Sequence, residues 1–250
     1  MPFTLSHTAL VLPLYRKRYF SATALIVGSV APDFEYFFKM GVNSYYSHTI
    51  AAIFYYNIPV AVFLSFLFHL VVKRNLLHNL PPYFQRRFQD TLNFDIKTFF
   101  KEHWLMFLIS AMIGAASHIF WDSFTHGSGY FVKRLSIYKG NYIPFDGVKY
   151  PLFYALQYIS TGVGLIVLAL FIIYKKNDES VVVYRPQLKY WLIFSAIVVL
   201  AMALRFIPFP EDIEVGSVIV SIISSACMAG IICGFMAPNN EVLPATGSKS

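Results

Sequence analysis

Five apolar runs dominate this chain, at roughly 51–72, 104–124, 151–174, 190–207 and 216–237. A helix that crosses a bilayer needs about 20 apolar residues at a rise of about 1.5 Å each. Lipid cannot satisfy a backbone amide, so runs of this length cross as helices that bond internally. Composition agrees. The 250 residues are 57% hydrophobic and 13% charged, against about 25% charged in a soluble domain. These observations predict an all-α, polytopic membrane helix bundle with about five spanning helices. Tyr45, Tyr46, Trp104, Tyr150, Tyr190 and Trp191 flank the runs, as interfacial belts do.

The first fifty residues differ. Thr4 to Leu14 and Ser21 to Val30 are apolar but each covers only half a bilayer, and Arg16-Lys17-Arg18 lies between them. This pattern predicts an N-terminal hairpin of half-helices, with Pro13 and Pro32 as terminators. The basic trio followed by an apolar stretch mimics a signal peptide. Pro32 and the apolar segment ahead of the trio argue against cleavage. The 73–103 connection reads as a long basic loop, and the polar 238–250 tail as disordered. The organisation expected is one membrane domain over 1–237, made of a 1–50 hairpin and metal-side segment plus five spans over 51–237.

Net charge is +7, but the basic residues form short clusters between spans, so nucleic acid is not an expected partner. The connections 73–103 and 175–189 hold ten Lys and Arg, whereas 206–215 carries Glu211, Asp212 and Glu214. By the positive-inside rule the first two connections are cytoplasmic. The 125–150 connection, with Lys133, Arg134, Lys139 and Lys149, runs against that bias. Cys227 and Cys233 are six apart in one run and face different sides of a helix, which disfavours a disulfide between them.

The sharpest chemical feature is Ser117-His118-Ile119-Phe120-Trp121-Asp122-Ser123-Phe124-Thr125-His126. His118 and Asp122 are spaced i, i+4 and share a helix face. His126 is one turn further on. Imidazole and carboxylate suit Zn²⁺, and also Mn²⁺ or Fe²⁺. These three residues lie at the exit of the second span, and His48 lies at the entrance of the first, on the same side. If the basic turn points to the cytoplasm, His7 and Asp33 reach that side too. Asp33 also fits as the cap of a short helix at 34–40. Glu35 is out of register and reads as solvated. His69, His78 and His103 fall at or beyond the opposite end and read as interfacial or solvated.

Met1-Pro2-Phe3-Thr4-Leu5-Ser6-His7, Gly28-Ser29-Val30-Ala31-Pro32-Asp33-Phe34-Glu35-Tyr36, Ser47-His48-Thr49 and the Ser117 to His126 segment together resemble the DUF4184 family of uncharacterised bacterial membrane proteins. More distantly, the spacing of His118, Asp122, Thr125 and His126 is similar to that of inner-membrane metal-dependent hydrolases, whose pattern is in turn similar to that of zinc-dependent phospholipase C. The resemblance implies His7, Asp33, His48, His118, Asp122 and His126 as the ligand set. It also implies a bacterial inner membrane location. Gln157 matches a family position near the start of the third span, where it could bond a ligand or substrate, or glue helices together.

The expected function is metal-dependent hydrolysis of a phosphoester or lipid-like substrate at the membrane face, which the topology puts on the extracytoplasmic side. Asp33 or Asp122 would act as general base. Lys133, Arg134 and Lys139 could hold a phosphate, or simply be a solvated loop. A transporter or ion-binding channel, and a scaffold with a structural metal, are the alternatives. No paired broken spans of the transporter kind are evident.

Overall fold

The computed structural model describes residues 4–239 and 241–243. Among the described residues, five helices are long and apolar enough to cross a membrane: Ile53–Asn79, Ile96–Arg134, Leu152–Tyr174, Leu188–Phe206 and Val215–Gly234. Each covers one of the predicted runs, and the chain is an all-α, multi-pass membrane protein. The third span leaves Val163, Ile166 and Ile173 exposed. Burying such a side chain stabilises it by about 1.5–3 kcal/mol, so an outward apolar face of this kind belongs against lipid.

The chain forms two compact units. The first comprises Met1–Tyr36, Asn43–Phe63 and His103–Ile173, and the second Phe37–Val42, Leu64–Glu102 and Tyr174–Ser250. In the first, Thr4–Leu14 is a 3-10 helix that packs against the α-helix Ala22–Val30. A 3-10 run of this length is uncommon, and it eclipses residues three apart. Thr4 and His7 therefore stand on one edge, and both are buried. Ser21 caps the second helix by accepting the Ala24 amide at 3.3 Å. The half-helix hairpin is present, with its first arm wound more tightly than an α-helix.

Two glycines set how closely this hairpin approaches the second span. A methyl group on Gly28 would strike the Ala111 carbonyl, and one on Gly114 the Leu25 carbonyl. Small residues allow backbones in a membrane to meet in this way. The contact continues through the Ser21 amide, which donates to Ser110 Oγ at 2.9 Å. Gly114 is one turn before His118, so this seam fixes the height of the ligand helix.

The predicted 73–103 loop is largely helical. The first span runs on to Asn79, and Pro82–Arg87 and Gln89–Asn93 are short helices. Lys73 continues the helix because it is buried and its Nζ donates to the Phe94 carbonyl at 2.7 Å. The helix Ile96–Thr125 has non-helical backbone at His103, φ −134° and ψ 31°, where the two units divide. The connection after the second span holds an unforeseen hairpin, Tyr142–Phe145 paired antiparallel with Val148–Pro151. Asp146 and Gly147 close it with φ of 50° and 74°, the two left-handed residues a tight hairpin turn requires.

In the second unit, part of the expected disordered tail is pinned. The Arg185 amide donates to the Glu241 carbonyl and the Leu243 amide to the Val183 carbonyl, both at 2.8 Å. Residues 244–250 lie outside the described residues. His69 and His78 are buried, which corrects their reading as interfacial. His78 Nδ1 donates to the Asn239 carbonyl at 2.8 Å, and its ring stacks on Tyr184. His69 packs against Phe68 and Phe94. Cys227 and Cys233 are both free.

Candidate metal centre

Five chain segments of the first unit deliver the six predicted ligands to one place. His7 comes from the 3-10 helix and Asp33 from the Ala31–Asp33 turn that follows the second arm. His48 follows the 44–47 loop. His118 and Asp122 share the second span. His126 sits just beyond the α-helix Ile96–Thr125, where its amide still donates to the Asp122 carbonyl at 3.1 Å. The helical spacing read from the sequence thus persists through His126.

Asp122 stands at the centre. Its Oδ1 lies 3.4 Å from His7 Nε2 and 3.3 Å from His126 Nδ1. Its Oδ2 lies 3.3 Å from His118 Nε2 and 3.6 Å from His48 Nε2. Asp33 Oδ1 is 3.2 Å from His48 Nε2 and 3.5 Å from His118 Nε2. Two ligand atoms about 2.1 Å from one tetrahedral ion stand about 3.4 Å apart. These separations have the length of such an edge.

The tautomers carry the same message. His118 Nδ1 lies 2.7 Å from the Ser29 carbonyl. A carbonyl can only accept, so Nδ1 carries a proton, and Nε2 faces the two carboxylates. Two carboxylates gathered in a buried site need a positive charge among them, from a protonated imidazole or from an ion. Both His118 Nε2 and Asp122 Oδ1 are buried without a hydrogen-bond partner, which is costly unless something else occupies that space. His48 is oriented similarly. Its Nδ1 lies 3.0 Å from Ser44 Oγ and 2.8 Å from Ser47 Oγ, which turns its Nε2 toward the carboxylates. Partners that fix the outer nitrogen of an imidazole in this way are typical of metal-ligating histidines.

Outside the spans, protonation also fits. Burial, then the neighbouring His118, pushes the His7 imidazole down to about 4, so it is neutral at pH 7. Burial alone would raise the Asp33 carboxyl, but His118 and His48 outweigh it and hold it below its ordinary range. Metal ligation asks for a neutral imidazole and an ionised carboxylate.

The sequence reading missed the groups that hold the ligands. Thr4 Oγ1 donates to Asp33 Oδ2 at 2.5 Å. Glu35 is buried rather than solvated. It accepts the Tyr45 and Ser47 amides at 2.8 and 2.9 Å and so shapes the loop that presents His48. Gln157 is buried, with its amide nitrogen 2.9 Å from His126 Nε2. It is a partner of a predicted ligand and has no direct place among the six.

A cavity of about 800 Å³ opens onto this cluster. His48, Asp122 and His126 line it. Their side chains are 21, 12 and 27% exposed, against 2, 5 and 0% for His7, Asp33 and His118. Ile50, Ile53, Ile119 and Phe120 form an apolar part of the wall, and Lys133 and Arg134 add positive charge. The Arg134 guanidinium lies 3.8 Å from the Tyr130 ring centroid. Lys139 is exposed and is not part of the lining.

No curated protein and no solved structure matches this chain. The profile described as "Domain of unknown function (DUF4184)" matches residues 1–235, which include all six clustered side chains and every span, and the chain belongs to that family.

Proposed function

We propose that this protein is a metal-dependent hydrolase that works at a membrane face on a phosphoester or lipid-like substrate. The observation that carries the reading is the open cavity, whose floor holds three of the six clustered side chains and whose wall is part apolar and part cationic. The ion would be divalent, with Zn²⁺ best suited to the donor set and Mn²⁺ or Fe²⁺ also compatible. When bound, it would supply Lewis-acid polarisation of the scissile oxygen and would bring the pKa of a water toward about 7.

The chain's own residues do the rest. Asp33 or Asp122 takes the proton from the attacking water. Lys133 and Arg134 hold the anionic group, with Arg134 able to bind it through two parallel hydrogen bonds. Ile50, Ile53, Ile119 and Phe120 receive an apolar tail from the surrounding lipid. A purely structural metal would favour a closed shell of ligands, and the exposure of His48 and His126 to the cavity favours a working site instead. The family resemblance supports a bacterial inner membrane, and the basic 73–103 and 175–189 connections support an extracytoplasmic face for this cavity, against the bias of Lys133 and Arg134.

The test joins metal analysis to turnover. Purified protein in detergent should carry divalent metal and hydrolyse a phosphodiester or phospholipid, and Asp122→Ala should lose essentially all of both. Stoichiometric metal retained by Asp122→Ala would sink the site. A fully metal-loaded wild-type protein that hydrolyses neither substrate would sink the reaction.

A further inference from the structure

Seven donor atoms converge here, more than one tetrahedral ion accepts, and they fall into two sets about the two oxygens of Asp122. Its Oδ2 faces His118 and His48, which also face Asp33 Oδ1, with four separations of 3.2 to 3.6 Å. Its Oδ1 faces His7 and His126 at 3.4 and 3.3 Å. Each imidazole meets one of the two oxygens at these distances. We propose that Asp122 bridges two divalent ions, one held by Asp33, His48 and His118 and the other by His7 and His126. This rests on the metal-binding reading above and extends it to the number of ions and to the division of the ligands.

The two sets differ in what they offer. The Asp33 set has two imidazoles and two carboxylate oxygens, enough to complete a tetrahedral shell. The His7 set has two imidazoles and one carboxylate oxygen, which is the usual complement of a site that keeps a position for water or substrate. His126 lines the cavity, so the open position faces it. A pair of ions about 3.5–4 Å apart can stabilise both the attacking and the leaving oxygen of a phosphoester.

Gln157 belongs to the second set as a positioning residue. With its amide nitrogen 2.9 Å from His126 Nε2 and donating to it, Gln157 places the ring proton on Nδ1, toward Asp122. A half-turn of the amide presents its oxygen instead, at nearly equal shape. Nε2–H then donates to that oxygen, and Nδ1 turns a lone pair to Asp122 Oδ1. Gln157 is therefore suited to switch His126 from proton donor to metal ligand as the second ion enters.

The experiment counts ions without relying on turnover. Chelator-stripped wild-type protein in detergent is reloaded with Mn²⁺, freed of excess, and measured by elemental analysis and by electron paramagnetic resonance. About two ions per chain and an exchange-coupled signal are expected. His126→Ala should keep one ion and show an isolated Mn²⁺ signal. Gln157→Leu, which leaves every ligand in place, should weaken the second ion about 10–100-fold, as outer partners of metal ligands do. One ion per wild-type chain, or an uncoupled signal at a loading of two, would overturn the proposal and leave the single-ion reading standing. No bound ion in the folded wild type would overturn both. Equal loading of Gln157→Leu and wild type across a Mn²⁺ titration would also overturn the assignment of the second set.

Discussion

Each unit of this protein buries a polar cluster, and the two clusters are built on opposite principles. In the second unit, Asn75, His78, Asn79, Gln85 and Asn239 spend their donors mainly on backbone carbonyls. The Asn75 amide donates to the carbonyls of Cys233, Gly234 and Met236 at 3.1, 3.2 and 2.9 Å. Gln85 both donates to the Tyr184 carbonyl and accepts the Tyr184 amide at 2.8 Å. In the first unit, donors are scarce and acceptors crowd together, so that His118 Nε2 and Asp122 Oδ1 have no partner. Amides carry both a donor and an acceptor and can close most of their own network, here all but Asn75 Oδ1. The gathered imidazoles and carboxylates of the first unit leave His7 Nδ1, His118 Nε2 and Asp122 Oδ1 without hydrogen-bond partners. The first arrangement is interhelical glue, and the second has the donor set that the proposed ion would fill.

That contrast predicts which unit answers to metal. For an ion present at about 1,000 times its Kd, mass action stabilises the folded state by about 4 kcal/mol. Adding a strong chelator should remove that increment and lower the thermal midpoint in detergent. Readding Zn²⁺ or Mn²⁺ should restore it. A midpoint unchanged by chelation of fully loaded protein would erase the distinction between the clusters. The second-largest effect belongs to the other unit. Asn239 donates to the Arg185 carbonyl at 2.7 Å and accepts from Gln187 at 3.0 Å and from the Glu241 amide at 3.1 Å. Asn239→Ala leaves several of these groups without partners and should cost about 3 kcal/mol. Metal content should stay at the wild-type level, and a loss of metal in this variant would contradict the assignment of its cluster to structure alone.

The spans and the trio His118, Asp122 and His126 are legible in the sequence because they use strong, simple signals, whereas His7, Asp33 and His48 are reached through topology and the family resemblance. An apolar run reports lipid exposure, and His118, Asp122 and His126 repeat at the spacing of a helical turn. What the sequence carried poorly was burial of polar residues. Lys73 and His78 look like the end of a span by hydropathy, yet both are buried and the helix continues to Asn79. Glu35 looks solvated by register, yet it is 1% exposed because loop amides supply its hydrogen bonds. Such bonds come from backbone, which has no sequence signature. The hairpin is a different case. Asp146-Gly147 lies between the alternating apolar residues Ile143, Phe145, Val148 and Tyr150, a turn signal that was available but is overshadowed by the basic residues around it.

Thr4 gives the smallest and most selective test of the contrast. Its hydroxyl donates to Asp33 Oδ2 at 2.5 Å while Asp33 Oδ1 faces His48 and His118. Valine has nearly the same shape and lacks that donor. Thr4→Val leaves all six clustered side chains in place but frees the carboxylate to rotate and bares one buried oxygen. Losing an outer partner of a ligand typically weakens metal binding by about 10–100-fold, and the lower end is expected here because His48 and His118 still constrain Oδ1. A titration of stripped protein with Zn²⁺ against a competing chelator measures the change. The contrast with Asn239→Ala is then sharp: one variant loses stability and keeps metal affinity, and the other loses about tenfold in affinity with a smaller fall in its metal-free thermal midpoint. If Thr4→Val instead lowered the metal-free midpoint as much as Asn239→Ala while leaving Zn²⁺ affinity unchanged, Thr4 would belong with the structural amides, and Asp33 would be held for the fold rather than for an ion.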